Sequence, residues 1–467
     1  MQSRGNVGLL GGLLGRSASR YVYFGLRKSQ FSVAAHSSLM CSNRNAGLVQ
    51  NPHITTKSTR TPNSMRGIEL GACYSERYGY HKVIGKSIMP FEIKFDMPPA
   101  GYSLTAARGG DKVKVSVIEF TSSEDGDLFI SRLEGLPSQI IAMLPSDAKI
   151  KESQIDTLLA IIRRDNTATV YINELNIIAR SRLNRSVDKG DLIFEDDIID
   201  IDEIQFNGIK IPEDAGFAFI FSKGWRKAFY YDFKPISFSQ EKRNYNIGKV
   251  LAHYYNYLLF QELFKIKDIE WEELFQQQWF PFVSLKKSTI KDILNYLRSG
   301  WDIDDLLEKI TMETNNLLRS MLERWEKHSL FNGHFTLLER AVERYRSEDF
   351  ISCTAIVYPR IEGIIRSIHE KIKKDEKATQ KNLVNSLDRV GTSGKEKYSR
   401  LLPKKFTEYI EKVYFANFSP GEPSPISRNT VSHGVASAND FTIKAATIGL
   451  LIIDQIYYYI PNDETKK

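Results

Sequence analysis

The chain of 467 residues contains few cysteines and no long apolar run. Its three cysteines, Cys41, Cys73 and Cys353, are far apart and accompany no CxxC pair or HExxH helix, which argues against a disulfide framework and a structural zinc site. No uninterrupted apolar stretch reaches the roughly 18 residues of a membrane span, so no membrane partner is predicted. The glycine-rich stretch GLLGGLLG lacks the Lys-Ser/Thr of a phosphate-binding loop. We therefore predict neither a cofactor nor a metal.

Acidic residues are missing from the first 68 positions, which contain nine Arg or Lys, so that the remainder carries 55 basic against 57 acidic residues. The net charge of +7 therefore comes from this leader and does not by itself indicate a nucleic-acid-binding protein. We predict that residues 1–75 form a disordered or targeting-like basic leader. An organellar transit peptide would place the protein in mitochondria, whereas a natural start at Met40 or Met65 would favour a cytoplasmic protein.

Residues 76–238 are predicted to form a β-rich domain. Short runs such as KVKVSVIEF, ATVYINELNII, GDLIFEDDIIDIDEI and GFAFIFSKGW are rich in Val, Ile, Phe and Tyr, and turn residues separate them. The segment PSQIIAMLPSDAKIKESQIDTLLAIIRR is expected to supply one helical interlude or two. The acidic residues between 195 and 203 could ligate a metal, but Ile199 and Ile201 alternate with them, so we favour a solvated strand edge.

Beyond residue 239 the apolar residues recur every three to four positions, which is typical of helices. We predict a helical connecting region over 239–328 and a helical domain over 329–467, so the fold class is α+β, with a mainly antiparallel β N-terminal domain. The last helix is apolar on two sides, which places it either in the centre of the domain or between two protomers. The predicted helices lie near 245–266, 287–299, 302–327, 334–347, 349–373, 377–390, 403–415 and 439–459.

The stretch SPISRNTVSHG places three polar residues on one short predicted helix. Ser427 is the expected N-cap and Gly434 the expected stop, so the helix begins at Arg428, beside backbone N–H groups that favour an anion. Asn429 and His433 are four residues apart and share a face, so the amide can orient the imidazole. Arg428 is offset from His433 by about 140° and about 7.5 Å along the axis. The two side chains can therefore flank a phosphodiester.

The residue types suit cleavage of RNA. A guanidinium pairs with phosphate oxygens and stays charged, so it can stabilise the charge that builds on phosphorus. An imidazole titrates near neutral pH and can move a proton to or from a hydroxyl group. Between Arg366 and Lys412, thirteen basic residues face seven acidic ones, which favours an RNA backbone but is also common on solvated helices. The aromatics of WEELFQQQWFPF could stack on bases, although core packing is the simpler explanation.

The motif SRNTVSHG, followed by the apolar helix FTIKAATIGLLIIDQIYYYI, resembles the Arg-Asn-x3-His signature of the HEPN superfamily, the higher-eukaryote and prokaryote nucleotide-binding domains. LLERAVERYRSEDFISCTAIVYPRIEGIIRSIHEKI resembles the first helical pair of the abortive-infection type, and LPKKFTEYIEKVYFANF resembles the segment before its motif. The likeness covers about residues 330 to 460 and predicts a HEPN-like helical bundle there.

The resemblance implies a metal-independent endoribonuclease whose domains form a homodimer with a composite cleft. Arg428 would then bind the phosphate, His433 would transfer protons and Asn429 would fill the polar place after the arginine. Glu362 matches an acidic residue that many members place near the cleft, although a salt bridge to Arg366 explains it equally well. Such effectors serve as toxins or in anti-phage defence, which implies a phage-derived trigger sensed by the N-terminal domain. The alternative is a non-catalytic dimerisation or nucleotide-binding module.

Overall fold

The computed structural model describes most of residues 90–460, all of which belong to one compact unit, Arg66–Lys467. The predicted basic leader, Cys41 and Cys73 lie outside the described residues. The gaps within the described range are residues 100–101, 105–107, 111, 113–114, 118–119, 124–135, 149, 152–153, 224–225, 238–239, 374, 393–397 and 420–423.

A six-stranded antiparallel sheet dominates the first part of the described chain, in the order β1-β6-β5-β9-β10-β4. Two strand pairs, β2 with β3 and β7 with β8, lie apart from it. Strands and helices are both well represented, so the predicted α+β class is confirmed. The strands found among the described residues are β1 Phe91–Lys94, β2 Tyr102–Leu104, β3 Val115–Val117, β4 Phe120–Ser123, β5 Leu158–Ile162, β6 Thr167–Ile172, β7 Ile177–Leu183, β8 Ile198–Phe206, β9 Gly216–Lys223 and β10 Arg226–Asp232.

The segment expected to supply one helical interlude or two supplies one α-helix, and its last part is a strand, so the second of the two options was wrong. Helix α1, Leu136–Met143, is present, but Leu158–Ile162 forms the interior strand β5 and pairs with both β6 and β9. All five residues of β5 are buried. A strand covered on both faces is apolar without alternation, and five apolar residues do not distinguish it from a buried helix.

Residues 198–203 of the acidic run lie in strand β8, paired with β7, which confirms a strand there but corrects the picture of a solvated edge, whereas Glu195–Asp197 form a 3₁₀ helix just before the strand. Asp202, whose side chain is 47% exposed, pairs with Arg182 at 3.0 Å, and the partly buried Glu203 pairs with Arg180 at 3.1 Å. Asp200, however, is only 4% exposed and accepts a hydrogen bond from Ser399 Oγ at 2.5 Å. This part of the sequence therefore forms a contact with the later helices.

Helices make up the chain after residue 246, as the periodicity predicts. The helix Asp268–Gln276 was not among the predicted elements, and the predicted helix over 403–415 ends as a π-helix, Ile410–Tyr414. The helices are α2 Ile247–Leu259, α3 Gln261–Phe264, α4 Asp268–Gln276, α5 Lys287–Ser299, α6 Leu307–Glu326, α7 Phe335–Arg346, α8 Phe350–Ile372, α9 Gln380–Thr392, α10 Pro403–Tyr409, α11 Arg428–Ser432 and α12 Ile443–Tyr457.

The sheet contributes to two hydrophobic cores because its strands alternate inward and outward side chains. One face, which includes Leu159 and Phe219, joins the helices in one continuous core. The other face, which includes Leu158 and Ile220, packs in a smaller core with residues of α1. The β-rich part and the helical part therefore share buried apolar surface, which stabilises both by about 25 cal/mol for each Å² removed from water.

Helix α12 occupies the centre of the helical part. Every residue from Ala445 to Ile456 is buried, which agrees with the first of the two positions predicted for it. It approaches α8 so closely that a Cβ added at Gly449 would lie 2.6 Å from Val357 Cγ1. In the described part of the chain, no helix is both long and apolar enough to cross a membrane.

Candidate active site

The Arg/His motif forms the predicted short helix, α11. Ser427 is its N-cap: its Oγ accepts a hydrogen bond from Thr430 N at 3.2 Å, and its own N–H donates to Thr430 Oγ1 at 2.8 Å. Gly434, with φ of +68°, takes the left-handed conformation just beyond the end of the helix. Both ends of α11 are thus fixed by local sequence, which explains how so short a helix is held.

Arg428 lies partly at the surface, with its side chain 23% exposed. Its Nε forms an ion pair with Glu362 Oε2, and its Nη1 donates a hydrogen bond to Asn429 Oδ1 at 3.2 Å. Nη2 forms no hydrogen bond with any residue that the structure describes. The guanidinium is therefore oriented by two acceptors and keeps one nitrogen for another ligand.

Glu362 fits both interpretations drawn from the sequence. Its side chain is 8% exposed, and Oε1 accepts hydrogen bonds from Arg366 Nη2 at 2.7 Å and Nε at 3.0 Å, while Oε2 faces Arg428. One carboxylate thus bridges an arginine of its own helix, α8, and the motif arginine. Nearby, burial raises the pKa of Tyr414 well above its ordinary value, and the charge of Glu362 adds to the effect, so this phenol stays protonated.

Asn429, only 5% exposed, connects α11 to the backbone that precedes it. Its Nδ2 donates to the carbonyl oxygens of Phe415 at 3.1 Å and Ala416 at 3.2 Å, just after the π-helix. Its Oδ1 accepts from Arg428 and from Gln380 Nε2, the latter at 2.9 Å. The expectation that this amide orients the imidazole was wrong, because these other groups occupy the amide.

His433 lies at the exposed C-terminal end of α11. Its backbone N–H donates to the Asn429 carbonyl at 3.1 Å, which is its link to the rest of the motif. Its ring lies beside Phe418, with the ring centroids 5.8 Å apart and the planes inclined by 50°. The ring nitrogens form no hydrogen bond with the described residues, so the imidazole is open to exchange protons with a substrate.

The structure therefore brings Arg428, Asn429 and Glu362 together and leaves His433 apart at the end of the same helix. Sequence analysis missed Gln380 and Phe418. Gln380 is a polar residue at the start of an amphipathic helix and Phe418 stands in a proline-rich loop, so neither gave a signal. The motif lines neither of two surface pockets, of about 750 and 410 Å³.

Other sequence candidates do not join this site. Trp271, Trp279, Phe280 and Phe282 are each at most 4% exposed, so they pack in the core and cannot stack on bases. Cys353 is buried, and burial raises the pKa of its thiol to about 12, which keeps it unreactive. No group of three or more His, Cys, Asp or Glu side chains in the described ranges could hold a metal ion.

Comparison with known proteins does not identify this chain, since no family model, no curated protein and no solved structure matches it.

Proposed function

We propose that this protein is an endoribonuclease whose C-terminal part, residues 329–467, is a HEPN-like helical domain. The single observation that carries the proposal is the placement, at the two ends of one five-residue helix, of a partly exposed arginine whose Nη2 has no hydrogen bond with described residues and of an exposed histidine at the C-cap. A fixed cation and an accessible proton carrier are two components that RNA transesterification requires.

The chemistry follows from the roles of these two side chains. Arg428 binds a non-bridging phosphate oxygen through Nη2 and stabilises the charge that develops as the 2′-hydroxyl oxygen attacks phosphorus. The bond from phosphorus to the 5′-oxygen then breaks. His433 accepts the proton of the 2′-hydroxyl or donates one to the leaving 5′-oxygen. The products are a 2′,3′-cyclic phosphate and a 5′-hydroxyl, and no water is consumed in this step.

One helix supplies one histidine, whereas the reaction calls for both a base and an acid. We propose that two chains assemble, so that two motifs meet in one cleft and each contributes an arginine and a histidine. The exposure of His433 supports this arrangement, since a buried ring could not face a second chain. The substrate is RNA, because only RNA carries the 2′-hydroxyl that attacks.

The test is cleavage of total RNA and tRNA by the purified full chain in EDTA, beside its His433→Ala variant, with the product ends identified chemically. Because His433 is exposed and makes no side-chain hydrogen bond with described residues, the variant should fold as the parent does. We expect a loss of cleavage of about hundredfold or more. Ser432→Ala is the matched control, since Ser432 is the exposed neighbour on α11.

Two results would contradict the proposal. Equal cleavage by the parent and His433→Ala would remove His433 from the reaction. No cleavage by the parent, together with equal growth of cells that express the parent and the variant, would exclude a latent toxin as well. The ion pair between Arg428 and Glu362 and the buried Asn429 would then favour the alternative, a non-catalytic dimerisation or nucleotide-binding module, in which these contacts hold α11 in place.

A further inference from the structure

The side-chain amide of Asn429 has one orientation that satisfies its neighbours. Its NH2 group must face the carbonyl oxygens of Phe415 and Ala416, because carbonyls only accept hydrogen bonds. Its oxygen must face Arg428, because a guanidinium only donates. The chemistry of three neighbours therefore fixes the assignment of oxygen and nitrogen in this amide.

Gln380 supplies the second donor to that oxygen. Its Nε2 lies 2.9 Å from Asn429 Oδ1, while Arg428 Nη1 lies 3.2 Å from the same atom. Gln380 is exposed and is the first residue of α9, 49 positions before Asn429 in the chain. A residue outside the motif thus contacts the acceptor that orients the motif arginine.

Hydrogen bonds hold α9 and the connection before it against α8, so the backbone position of Gln380 is fixed relative to α8. His369 of α8 is 1% exposed, and its ring nitrogens lie 2.8 Å from Ser386 Oγ on α9 and 2.9 Å from the Glu376 carbonyl oxygen in the connection between the helices. The same helix α8 carries Glu362, the other acceptor of Arg428. Of the two acceptors that orient Arg428, Glu362 is therefore part of α8, and Asn429 is linked to α8 through Gln380 and α9.

We propose that Gln380 is a positioning residue for Arg428. By occupying one lone pair of Asn429 Oδ1, it keeps this oxygen aimed at Arg428 Nη1, and so it sets the direction in which Nη2 meets a phosphate. This inference rests on the proposed ribonuclease function and adds to it a residue outside the Arg/His motif. Loss of the bond from Gln380 leaves the amide of Asn429 anchored through its NH2 group. The loss should therefore change the orientation of the Arg428 guanidinium and leave the fold unaffected.

The experiment compares kcat and KM for RNA cleavage by the full chain and a set of variants. Gln380→Ala removes the donor, and Gln380→Glu keeps the shape but presents oxygens that repel Oδ1. We expect kcat to fall about tenfold in both, with KM within about twofold and the shape of the pH profile unchanged, because His433 is not touched. Gln380→Lys retains a donor and should recover most of the activity.

Lys381→Gln is the matched control for charge. It changes the net charge by the same amount as Gln380→Glu, one exposed position further along α9, and makes no contact with Asn429. We expect it to cleave as the parent does and all variants to unfold at the parent's temperature, because Gln380 is exposed.

Each remaining outcome overturns the inference. Parental kcat in Gln380→Ala overturns it alone and leaves the ribonuclease intact. An equal loss in Gln380→Glu and Lys381→Gln would assign the effect to charge, and a loss that follows a lower unfolding temperature would assign it to stability. A parent that does not cleave RNA would overturn both this inference and the proposed function.

Discussion

Two regions of the molecule use arginine and carboxylate side chains in opposite ways. In the core junction, which consists of Ser284, Arg324, Arg400, Asp454 and Gln455, the polar groups are largely enclosed and most of them bond to the chain itself, although the buried Nε atoms of Arg324 and Arg400 form no hydrogen bond with the described residues. Arg400 is 1% exposed and donates to the carbonyl oxygens of Ile198 at 2.5 Å and Leu285 at 2.6 Å. Burial lowers its pKa to about 10, so it stays charged at neutral pH.

At the motif, by contrast, Arg428 keeps part of its side chain at the surface, and its Nη2 forms no hydrogen bond with the described residues, while its buried Nε contacts Glu362 as an ion pair without a hydrogen bond. The difference lies in where the spare donor is found: the Nε atoms of Arg324 and Arg400 that lack a hydrogen bond are buried, whereas the side chain of Arg428 is partly exposed. An arginine bonded to backbone carbonyls of two distant segments holds those segments together, whereas one that is oriented by two side chains with a donor to spare is prepared for a ligand. Composition alone does not distinguish the two.

The largest effect that separates these regions is expected at Arg324. Its Nη2 lies 2.8 and 2.9 Å from the two oxygens of Asp454, which is 0% exposed, and its Nη1 donates to the Asn184 carbonyl at 2.6 Å. Arg324→Met leaves a buried carboxylate without its counter-charge, so we expect a loss of about 3–5 kcal/mol in the free energy of unfolding. Unfolding in urea measures it.

Arg319→Met is the control, because Arg319 lies on the same helix but its side chain is 87% exposed and pairs with Glu323. Its cost should stay below about 0.5 kcal/mol. Similar losses in the two variants would show that the core junction contributes no more than an exposed ion pair, and the contrast with the motif would fail.

A second substitution, Arg428→Lys, tests the motif arginine in the same comparison. Arg428→Lys keeps the charge beside Glu362 but lacks the planar fork, so it cannot pair with Glu362, Asn429 and a phosphate at once. We expect kcat for RNA cleavage to fall about hundredfold, while the free energy of unfolding changes by less than about 1 kcal/mol. Steady-state kinetics and urea unfolding on the same preparations measure both quantities.

Arg340→Lys is the control for this exchange, since Arg340 is 63% exposed on α7 and pairs with Glu343. It should leave both quantities at the parental values. If Arg428→Lys cleaves as well as the parent but unfolds more easily, Arg428 would belong with the arginines of the core junction.

Local patterns predicted the helices and the motif well, because the forces that form them act over a few residues. The apolar spacing gave α5 with the observed bounds, and Ser427 and Gly434 marked both ends of α11. Capping and amphipathic packing depend on neighbours within one or two turns. Strand β5 escaped because its five apolar residues lack a period that separates strand from helix.

The contacts that assemble the site could not be predicted, because they join distant parts of the chain. Glu362 and Arg428 are 66 positions apart and Gln380 and Asn429 are 49 apart, and no spacing rule links them. Only the resemblance to a family pointed to Glu362, and the structure pairs this residue with Arg428. The engagement of Asn429 with backbone carbonyls depends on where the π-helix ends, which no propensity indicates.

The smallest expected effect extends the comparison to histidine. His433 is exposed, His369 is buried with two hydrogen bonds, and His334 is half-buried beside α8, with Nδ1 buried and no hydrogen bond to it from the described residues. Burial and, secondarily, the charge of Arg360 lower the pKa of His334 below its ordinary value of about 6.5. As the pH falls, His334 is therefore protonated at a lower pH in the folded protein than in the unfolded chain.

The sign of the pH dependence follows from that order. Well above about pH 6.5 the ring is neutral in both states and does not change the free energy of unfolding. Below about pH 6.5 the unfolded chain binds the proton first, so the free energy of unfolding falls with pH until the pH passes the lowered pKa of the folded state. His334→Gln removes this loss. The free energy of unfolding of the variant minus that of the parent should therefore be larger at about pH 5.5 than at about pH 8. Urea unfolding of both proteins at the two pH values measures this change. A constant difference between the two proteins would show that His334 titrates alike in both states and that its partial burial carries no electrostatic consequence.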